Sequence, residues 1–365
     1  MSTTHERPTH DRNRDRIEDR TQPRTQPRTD STAKALAKDH GGDAALLAAL
    51  APVAEQLFER HLSRTKEWFP HQLVPWSRGR DFEDGDVWQD ATFPLPPAVR
   101  SALFVNLLTE DNLPYYFHVI SRLFGEDSVW GAWNRRWTAE EHRHSIVIRD
   151  WLTVTRALDP VELERARMAQ VSAGFAAATI DGVAEGLVYV TLQELATRIS
   201  HRNTGNLIED EADDTGRDIM SRVAADENLH FLFYRDLATA ALEIDPSRMV
   251  LAIERQVRHF EMPGTGMPGF GAHASAIAAA GIYDFEIHHD QILVPVVLRH
   301  WGLASVRGLS SEAERARERA LGHVDRIARV GRRLAARRDD SPDSADGRGS
   351  RDSRGERTPR QRAAS

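Results

Sequence analysis

Four segments of this sequence place a glutamate where a helical pattern of apolar residues calls for a leucine. Each residue of an α-helix advances by about 100°, so residues three, four and seven apart lie on one face. In the segment around Glu141, tryptophans mark the buried face. That face consists of Trp130, Trp133, Trp137, Glu141, His144, Ile148 and Trp151. The pattern predicts that Glu141 and His144 point into the core, where their side chains converge.

The other polar residues of this segment, TAEEHRHS, fall elsewhere on the helix. Glu140 lies nearer the edge of the apolar face and His142 points away from it, so we expect both to be solvated. A second segment repeats the arrangement, because Glu227 and His230 also stand within an apolar stripe. That stripe is Met220, Val223, Glu227, His230, Tyr234 and Leu237.

Two further segments each carry a single acid on an apolar face. Glu110 shares a face with leucines in AVRSALFVNLLTEDNLPYYFHVI, and Glu194 follows apolar residues in IDGVAEGLVYVTLQELATRISH. Pro114 cannot donate a hydrogen bond to the carbonyl of Glu110, so we expect the helix to be perturbed beside this carboxylate. The sequence therefore brings four acids, on four helices, toward one core.

Burial of a lone carboxylate costs several kcal/mol, so these four acids need compensating charge. Two ferrous ions would supply it, with two neutral histidines as further ligands. One Glu from each of two helices and a Glu-x-x-His pair from each of two others is the donor set of di-iron carboxylate bundles. The spacing alone is a weak signal, because Glu286 and His289 form a third such pair. No further acids accompany that pair, and we interpret it as ordinary polar contacts.

The body of the chain has helical rather than strand periodicity, broken by Pro and Gly, which predicts an all-α protein. Residues 1–38 and 335–365 are rich in Arg and Asp with little to bury, and we expect disordered tails around one domain, residues 39–334. Helices are predicted over about 41–63, 96–124, 129–157, 160–201, 213–242, 246–260, 274–300 and 310–336.

Composition excludes several classes of function. No apolar run reaches the roughly 18 residues of a membrane-spanning helix, and no targeting sequence is evident, so a cytoplasmic protein is expected. The net charge of −7 gives little support to nucleic-acid binding. Cysteine is absent, which excludes disulfides and a Cys-ligated iron–sulfur cluster in this chain. Electrons for redox chemistry would have to come from another protein.

The segments LLTEDNLPYY, WTAEEHRH, LQELATRISHRNT and AADENLH, in this order, resemble the metal-site segments of soluble acyl-acyl-carrier-protein desaturases of plant plastids and actinobacteria. KEWFPHQLVPW and EIDPSRMVLAIERQVRHFEMP also resemble that family, and the resemblance covers about residues 45–335. It implies a ferritin-like di-iron four-helix bundle with flanking helices. The implied activity is O2-dependent introduction of a cis double bond into a saturated acyl chain carried on acyl carrier protein.

The resemblance also implies site residues. The metal ligands would be Glu110, Glu141, His144, Glu194, Glu227 and His230, with Glu141 and Glu227 bridging two irons. Thr197 resembles a hydroxyl beside the O2 site, although it could simply hydrogen-bond to its own helix. Asp226 resembles a carboxylate that orients a ligating histidine. Trp68 resembles an aromatic residue on the side where electrons arrive, and a packing role explains it equally well.

The implied partners are an acyl carrier protein, a ferredoxin-type electron donor and a second copy of the chain in a homodimer. Because the carrier is acidic, its docking surface should be basic, and the candidate residues are Arg64, Lys66, Arg255 and Arg258. The sequence departs from the family at Leu229, where we expect an arginine beside the ligand histidine.

Other functions were weighed against the desaturase. Another ferritin-superfamily di-iron oxidase would use nearly the same ligands, and a catalytically inactive relative could act as a binding protein. A plain structural bundle does not account for the four acids on apolar faces. Gly264, Gly266 and Gly269 have the spacing of a dinucleotide-binding loop, but they follow a helical segment and lack a βαβ context.

Overall fold

The computed structural model describes residues 30–89, 93, 95–174, 180–208, 214–267 and 269–339. Within these ranges the regular secondary structure is helical and no strand occurs, which confirms the all-α prediction. The helices are α1 (Asp30–Arg64), α2 (Pro70–Leu73), α3 (Pro97–Glu110), α4 (Leu113–Phe124), α5 (Ser128–Thr155), α6 (Pro160–Ala173), α7 (Val183–Asn206), α8 (Thr215–Ile244), α9 (Pro246–His259), α10 (Phe270–Ala279), α11 (Phe285–His288) and α12 (Ser311–Asp339). Short 3₁₀ turns span Trp76–Arg78 and Leu303–Ser305, and a π-helix, His289–His300, continues from α11.

The chain divides into two units, Met1–Asp39 and His40–Ser365. Most of the predicted tails, 1–38 and 335–365, lie outside the described residues, so the tail boundaries stay predictions. None of the helices in the described ranges combines the length and the apolar character needed to span a lipid bilayer.

Four helices, α3, α5, α7 and α8, form the central bundle, and these are the helices that carry the predicted acids. Each contacts two of the others, in the cyclic order α3, α5, α8 and α7, and the packing of α7 against α8 is the most extensive. The flanking helices cover this bundle: α10 packs on α3, α4 on α5, and α9 on α7 and α8. Helix α12 packs on α9. The acids are therefore held at the centre of the bundle by the most buried helices of the fold.

The predicted single helix over 96–124 is two helices, and the break lies beside Glu110. Helix α3 ends at Glu110, and α4 begins three residues later, with Pro114 in its first turn. Proline has no N–H to continue the helical hydrogen bonds, so the ladder stops at this carboxylate. The predicted perturbation is confirmed, and the continuous helix was wrong.

The predicted helices over 160–201 and 274–300 are also interrupted. Gly174 after α6 and Gly281 after α10 have φ angles of +77° and +67°, in the left-handed region that glycine adopts without strain. Helix α11 then begins where the Asp284 carboxylate accepts a backbone N–H of its first turn at 2.8 Å. The apolar periodicity continues across both breaks, which is why the sequence pattern alone missed them.

The tryptophan stripe of α5 is buried as predicted. The ring of Trp133 stacks on Phe233 of α8 with centroids 3.5 Å apart, and its Nε1 donates a hydrogen bond to the hydroxyl of Tyr234 at 3.0 Å. Trp151 packs over Gly216 so closely that a Cβ at Gly216 would lie 2.5 Å from Trp151 Cζ2. Glycine at this position therefore sets how closely α8 approaches α5.

We predict that Gly216→Ala lowers the free energy of unfolding by about 1–3 kcal/mol, because the added methyl overpacks a filled core against Trp151. Urea denaturation measures this loss. The control is Gly322→Ala on α12, where no atom lies within 4 Å of an added Cβ. This variant should be neutral or more stable by up to about 1 kcal/mol. Equal stabilities of the two variants would contradict the packing argument.

Candidate metal centre

The six predicted ligands meet at the centre of the four-helix bundle, and all six are buried. They form two overlapping groups, and within each group one ligand atom from every member lies within 4.8 Å of the others. The first group is Glu110, Glu141, His144 and Glu227, and the second is Glu141, Glu194, Glu227 and His230. Each group could hold one metal ion. Glu141 and Glu227 belong to both groups, as bridging ligands would.

The inward-facing atoms of these side chains lack hydrogen-bond partners among the described residues. They include Glu194 Oε2, Glu227 Oε2 and the Nδ1 atoms of His144 and His230, all of them buried. A buried polar atom left unsatisfied costs about 1–3 kcal/mol, and more if it is charged. Two divalent cations would satisfy these atoms together and offset the four carboxylates. The residues present therefore fit a two-metal centre.

The Nδ1 atoms of both histidines face the candidate carboxylate ligands. Their Nε2 atoms face the opposite way, toward two other carboxylates. His144 Nδ1 lies 3.3 Å from Glu141 Oε2, and His230 Nδ1 lies 2.7 Å from Glu141 Oε1. On the far side of each ring, His144 Nε2 lies 3.5 Å from Asp226 Oδ2 and His230 Nε2 lies 2.9 Å from Glu140 Oε2. A carboxylate at Nε2 keeps the proton there and leaves the Nδ1 lone pair free for a metal. Nδ1 is therefore the metal-facing atom of both residues.

The charges of the cluster shift the pKa values of its members in opposite directions. Burial raises the pKa of the Glu194 carboxyl well above its usual range, and the charge of Glu227 adds to the rise. Burial alone would lower the pKa values of His144 and His230, but the charge of Glu141 and nearby carboxylate hydrogen bonds raise both well above the usual range. Protons on Glu194, His144 and His230 thus offset the negative charge that bound cations would otherwise offset.

Asp226 holds His144 from outside the cluster. Its Oδ2 accepts hydrogen bonds from Trp68 Nε1 at 2.8 Å and from Arg143 at 3.0 Å. The Trp68 ring lies parallel to the His144 ring with centroids 6.5 Å apart, and the Arg143 guanidinium lies 4.7 Å from the Trp68 ring centroid. Trp68 is buried, so packing also contributes to its position. Its hydrogen bond nevertheless links the indole directly to the carboxylate behind a candidate ligand.

The prediction that Glu140 is solvated was wrong. Glu140 is 3% exposed, and its Oε2 lies 2.9 Å from Nε2 of both His61 and His230. Arg136 donates to Oε1 at 2.6 Å. Glu140 stands one turn before His144, so it belongs to a broader buried face than the tryptophan stripe alone indicated. His142 is exposed as predicted.

Two further histidines near the centre were missed by the sequence analysis. His201 Nε2 lies 3.0 Å from Glu110 Oε1 and 3.6 Å from Glu227 Oε1. It follows Glu194 by seven residues, so helical periodicity already placed it on the same face. His61 follows the buried Leu57 by one turn on α1, and the same argument would have found it. Both histidines are at least 96% buried.

Thr197 donates its hydroxyl hydrogen bond to the carbonyls of Gln193 and Glu194, at 3.2 and 3.1 Å. This is the helix-bonded arrangement that was weighed as the alternative for this residue. The side chain also lines a cavity beside Glu110. Thr197 therefore faces the site while its hydroxyl is held by its own helix.

Two cavities adjoin the cluster and share Pro263 in their walls. The polar-walled cavity, of about 80 Å³, reaches from Glu110 and His201 to Tyr283 near the surface. The apolar cavity, of about 40 Å³, is lined by apolar and aromatic side chains and includes Trp137. Trp137 Nε1 donates a hydrogen bond to Glu194 Oε1 at 3.1 Å. The wall of the apolar cavity is thus bonded directly to a candidate ligand.

The basic residues predicted for docking differ in their surroundings. Arg64 and Lys66 are exposed. Arg255 forms ion pairs with Asp181 and Glu185 at 2.9 and 2.8 Å, so its charge is balanced within the chain. Arg258 is paired in the same way, with Glu254 at 2.8 Å. Leu229 is half-buried and lines a small pocket with His61 and Arg64.

The glycine pattern and the Glu286–His289 pair contribute no donor to the cluster. Gly264, Gly266 and Gly269 belong to the turns between α9 and α10, and no strand precedes them in the described ranges. His289 pairs with its neighbour Asp290 at 2.5 Å, and the backbone of Glu286 packs against α12. Neither pattern forms a second candidate site among the described residues.

Comparison with known proteins agrees with this geometry. A sequence model of the family described as fatty acid desaturase matches residues 43–347. The acyl-[acyl-carrier-protein] desaturase DesA1 of Mycobacterium tuberculosis is 41% identical over 285 residues, covering 76% of this chain and 83% of DesA1. The chloroplastic stearoyl-[acyl-carrier-protein] 9-desaturase 6 of Arabidopsis thaliana is 31% identical, over 74% of this chain and 72% of its own length.

A solved structure extends the likeness to the fold. The X-ray structure of the acyl-ACP desaturase DesA2 from Mycobacterium tuberculosis H37Rv has a TM-score of 0.58 and 28% identity to this chain. The match covers 72% of this chain and 96% of DesA2. The ferritin-like all-α architecture expected from the sequence is confirmed.

We predict that metal loading releases protons, because the raised pKa values of His144 and His230 keep their imidazoles protonated near neutral pH and a metal needs them neutral. Apparent affinity for Fe²⁺ should therefore increase with pH until both imidazoles are deprotonated in the metal-free protein. Anaerobic titration with a pH indicator should detect release of about two to three protons for each pair of metal ions bound, one from each imidazole and one from the Glu194 carboxyl. Glu227→Ala, which loses a shared ligand, should release none. Loading without proton release would contradict the assignment.

Proposed function

The chain belongs to the fatty acid desaturase family, and on that premise we propose how its residues serve the reaction. It is an acyl-acyl-carrier-protein desaturase, an oxidoreductase of fatty acid biosynthesis. Two overlapping groups of buried donor residues lie beside an apolar cavity. This observation supports assigning the desaturase activity to these residues. Such a cavity suits a saturated hydrocarbon chain, whereas a storage protein for iron needs none.

In the proposed site, Glu110 and His144 would hold one iron and Glu194 and His230 the other, and Glu141 and Glu227 would contribute to both positions. Carboxylate-rich sets with nitrogen donors suit iron and leave coordination positions open. When bound, the iron pair supplies the oxidising power for desaturation. The overall reaction converts one CH2–CH2 unit, O2, two electrons and two protons into a cis CH=CH unit and two waters.

The residues behind the ligands fix the tautomers of the two histidines. Glu140 is hydrogen-bonded to His230 Nε2, and the Asp226 carboxylate lies 3.5 Å from His144 Nε2, so both carboxylates favour a proton on Nε2 and leave the Nδ1 lone pairs directed at the metal positions. Arg143 and Arg136 balance the charges of these two carboxylates from the outer side. The imidazoles therefore stay oriented while the charge at the centre changes.

The two cavities supply the substrate path in this proposal. The acyl chain enters through the polar-walled cavity, passes the cluster beside Pro263 and ends in the apolar cavity. Tyr116, Leu123 and Trp137 exclude water from the far end and hold the chain in place. Because Trp137 is bonded to Glu194, the chain and the ligand shell keep a fixed separation. Thr197 lines the polar-walled cavity and remains a candidate for proton delivery.

Electrons reach the site, in our proposal, along Trp68, Asp226 and His144, which are linked by a hydrogen bond and by ring stacking. A ferredoxin-type protein is the proposed donor, since this chain has no cysteine to hold an iron–sulfur cluster. A homodimer and a cytoplasmic location remain predictions. An inactive relative is not favoured, because all six candidate ligands are present and two cavities adjoin them.

We predict that the purified protein binds about two irons per chain and that Glu141→Ala or Glu227→Ala removes most of this iron. Each substitution deletes a ligand common to both groups and leaves the opposing histidine uncompensated. Iron analysis and the absorption spectrum of the oxidised protein measure the loss. His142→Ala, on the exposed side of the same helix, is the matched control and should keep all of its iron. Zinc alone in the iron-reconstituted protein would reject the metal assignment.

Turnover provides the decisive test of the function. The iron-loaded protein with stearoyl-acyl carrier protein, O2 and a reduced ferredoxin should yield a product with one cis double bond, detected by mass spectrometry. Trp68→Phe keeps a buried aromatic ring but loses the hydrogen bond to Asp226, so electron delivery should slow while the iron content stays unchanged. An iron-loaded protein that leaves saturated acyl groups of every tested length unchanged would identify an inactive relative.

A further inference from the structure

The outer face of α12 carries a row of arginines. Positions on this helix advance by about 100° per residue, and six arginines fall within about 80° of one another on the side opposite the buried alanines. They span 23 residues, about 33 Å of helix. We call this set the arginine stripe: Arg315, Arg319, Arg326, Arg329, Arg333 and Arg337, all of which are exposed.

The positive charge of the stripe is mostly unbalanced within the chain. Arg319 pairs with Glu254 at 2.8 Å. In the described part of the chain, Arg326, Arg329, Arg333 and Arg337 have no carboxylate partner, and the sequence from Arg326 to Arg337 contains no acid. A solvated helix face usually mixes charges of both signs. A one-sided row instead creates a strong local field that attracts an acidic partner.

The C-terminal half of α12 lies beside the outer wall of the polar-walled cavity. Gly331 packs against the backbone of Glu286 on α11, where an added Cβ would lie 2.9 Å from the amide nitrogen. Three residues earlier, Tyr283 lines the cavity, and its hydroxyl lies 2.8 Å from His288 Nδ1. Phe260 stacks on His288 and leads into the cavity wall at Met262. Gly331 lies on the buried face of α12, opposite the arginines, so the stripe forms the outer surface of the helix that packs against α11 next to the Tyr283 wall of the cavity.

We propose that the arginine stripe is the docking surface for the acyl carrier protein, which would lay an acidic helix along α12 and pass its thioester-linked chain into the polar-walled cavity. This inference rests on the proposed function. It replaces Arg255 and Arg258, whose charges are balanced by acids of this chain, as the principal docking residues. Helix α12 packs mainly on α9, α11 and the π-helix, none of which carries Trp68 or Asp226. The stripe thus suits the carrier rather than the electron donor.

The test compares two double variants of the iron-loaded protein with the same change in charge. Arg329→Glu/Arg333→Glu reverses the stripe beside Gly331, and Arg122→Glu/Arg165→Glu reverses two exposed arginines on α4 and α6. Each is assayed with stearoyl-acyl carrier protein and with stearoyl-pantetheine, which lacks the protein. The stripe variant should raise KM for the carrier substrate about tenfold or more, with kcat within about twofold, because rim charges steer association. KM for stearoyl-pantetheine and the iron content should not change, and the control should match the wild type with both substrates.

Several results would overturn the inference. An unchanged KM for the carrier substrate, an equal rise in the control, or an equal rise with stearoyl-pantetheine would each do so. Loss of binding to anionic phospholipid vesicles, with the carrier KM unchanged, would assign the stripe to a membrane surface instead. Failure of the proposed function is distinguishable from these results. It appears as a wild-type protein that desaturates neither substrate, and carrier binding measured by calorimetry on both variants then still decides the docking question.

Discussion

The structure depends on the compensation of four carboxylates that a helical bundle brings into its own core. Each of α3, α5, α7 and α8 places a glutamate at a position where packing alone would favour leucine. Negative charge at this density cannot remain in a low-dielectric interior without a counter-charge. Protons on His144 and His230 supply part of it, as their raised pKa values show, and two cations would supply all of it. The need for counter-charge therefore governs both the packing of these four helices and the chemistry of the metal site.

His144 and His230 each have a carboxylate at Nε2, but the residues behind these two carboxylates differ. The supporting carboxylates, Asp226 and Glu140, each directly precede a shared glutamate on one helix and reach the histidine of the other helix. Beyond Asp226 stands the indole of Trp68, whereas beyond Glu140 stands the imidazole of His61. The proposed electron path uses the Trp68 side, because there the indole is hydrogen-bonded to the carboxylate behind the candidate ligand.

The sequence predicted the helical class and the inward position of the six candidate ligands because both follow from one periodicity. Acids on an apolar face are conspicuous, and the perturbation at Pro114 follows from its missing N–H. Glu140, His61 and His201 were missed for a physical reason: burial of a polar side chain next to the main stripe depends on what the neighbouring helix offers, here another histidine or carboxylate. The helix breaks at Gly174 and Gly281 were missed because apolar periodicity persists where the backbone turns.

The arrangement of the outer helices separates the substrate from the source of electrons. Trp68 and Arg143 lie on the side of α5 and α8, behind His144. Residues of α10 and of the turn after α9 line the polar-walled cavity, and α12 contacts α11 next to it. Charge alone would let an acidic carrier dock on any basic surface of the chain, since it does not distinguish one such surface from another. In the proposed arrangement, the carrier is recognised by the arginine stripe together with the cavity. The electron donor is recognised by the region of Trp68, behind His144.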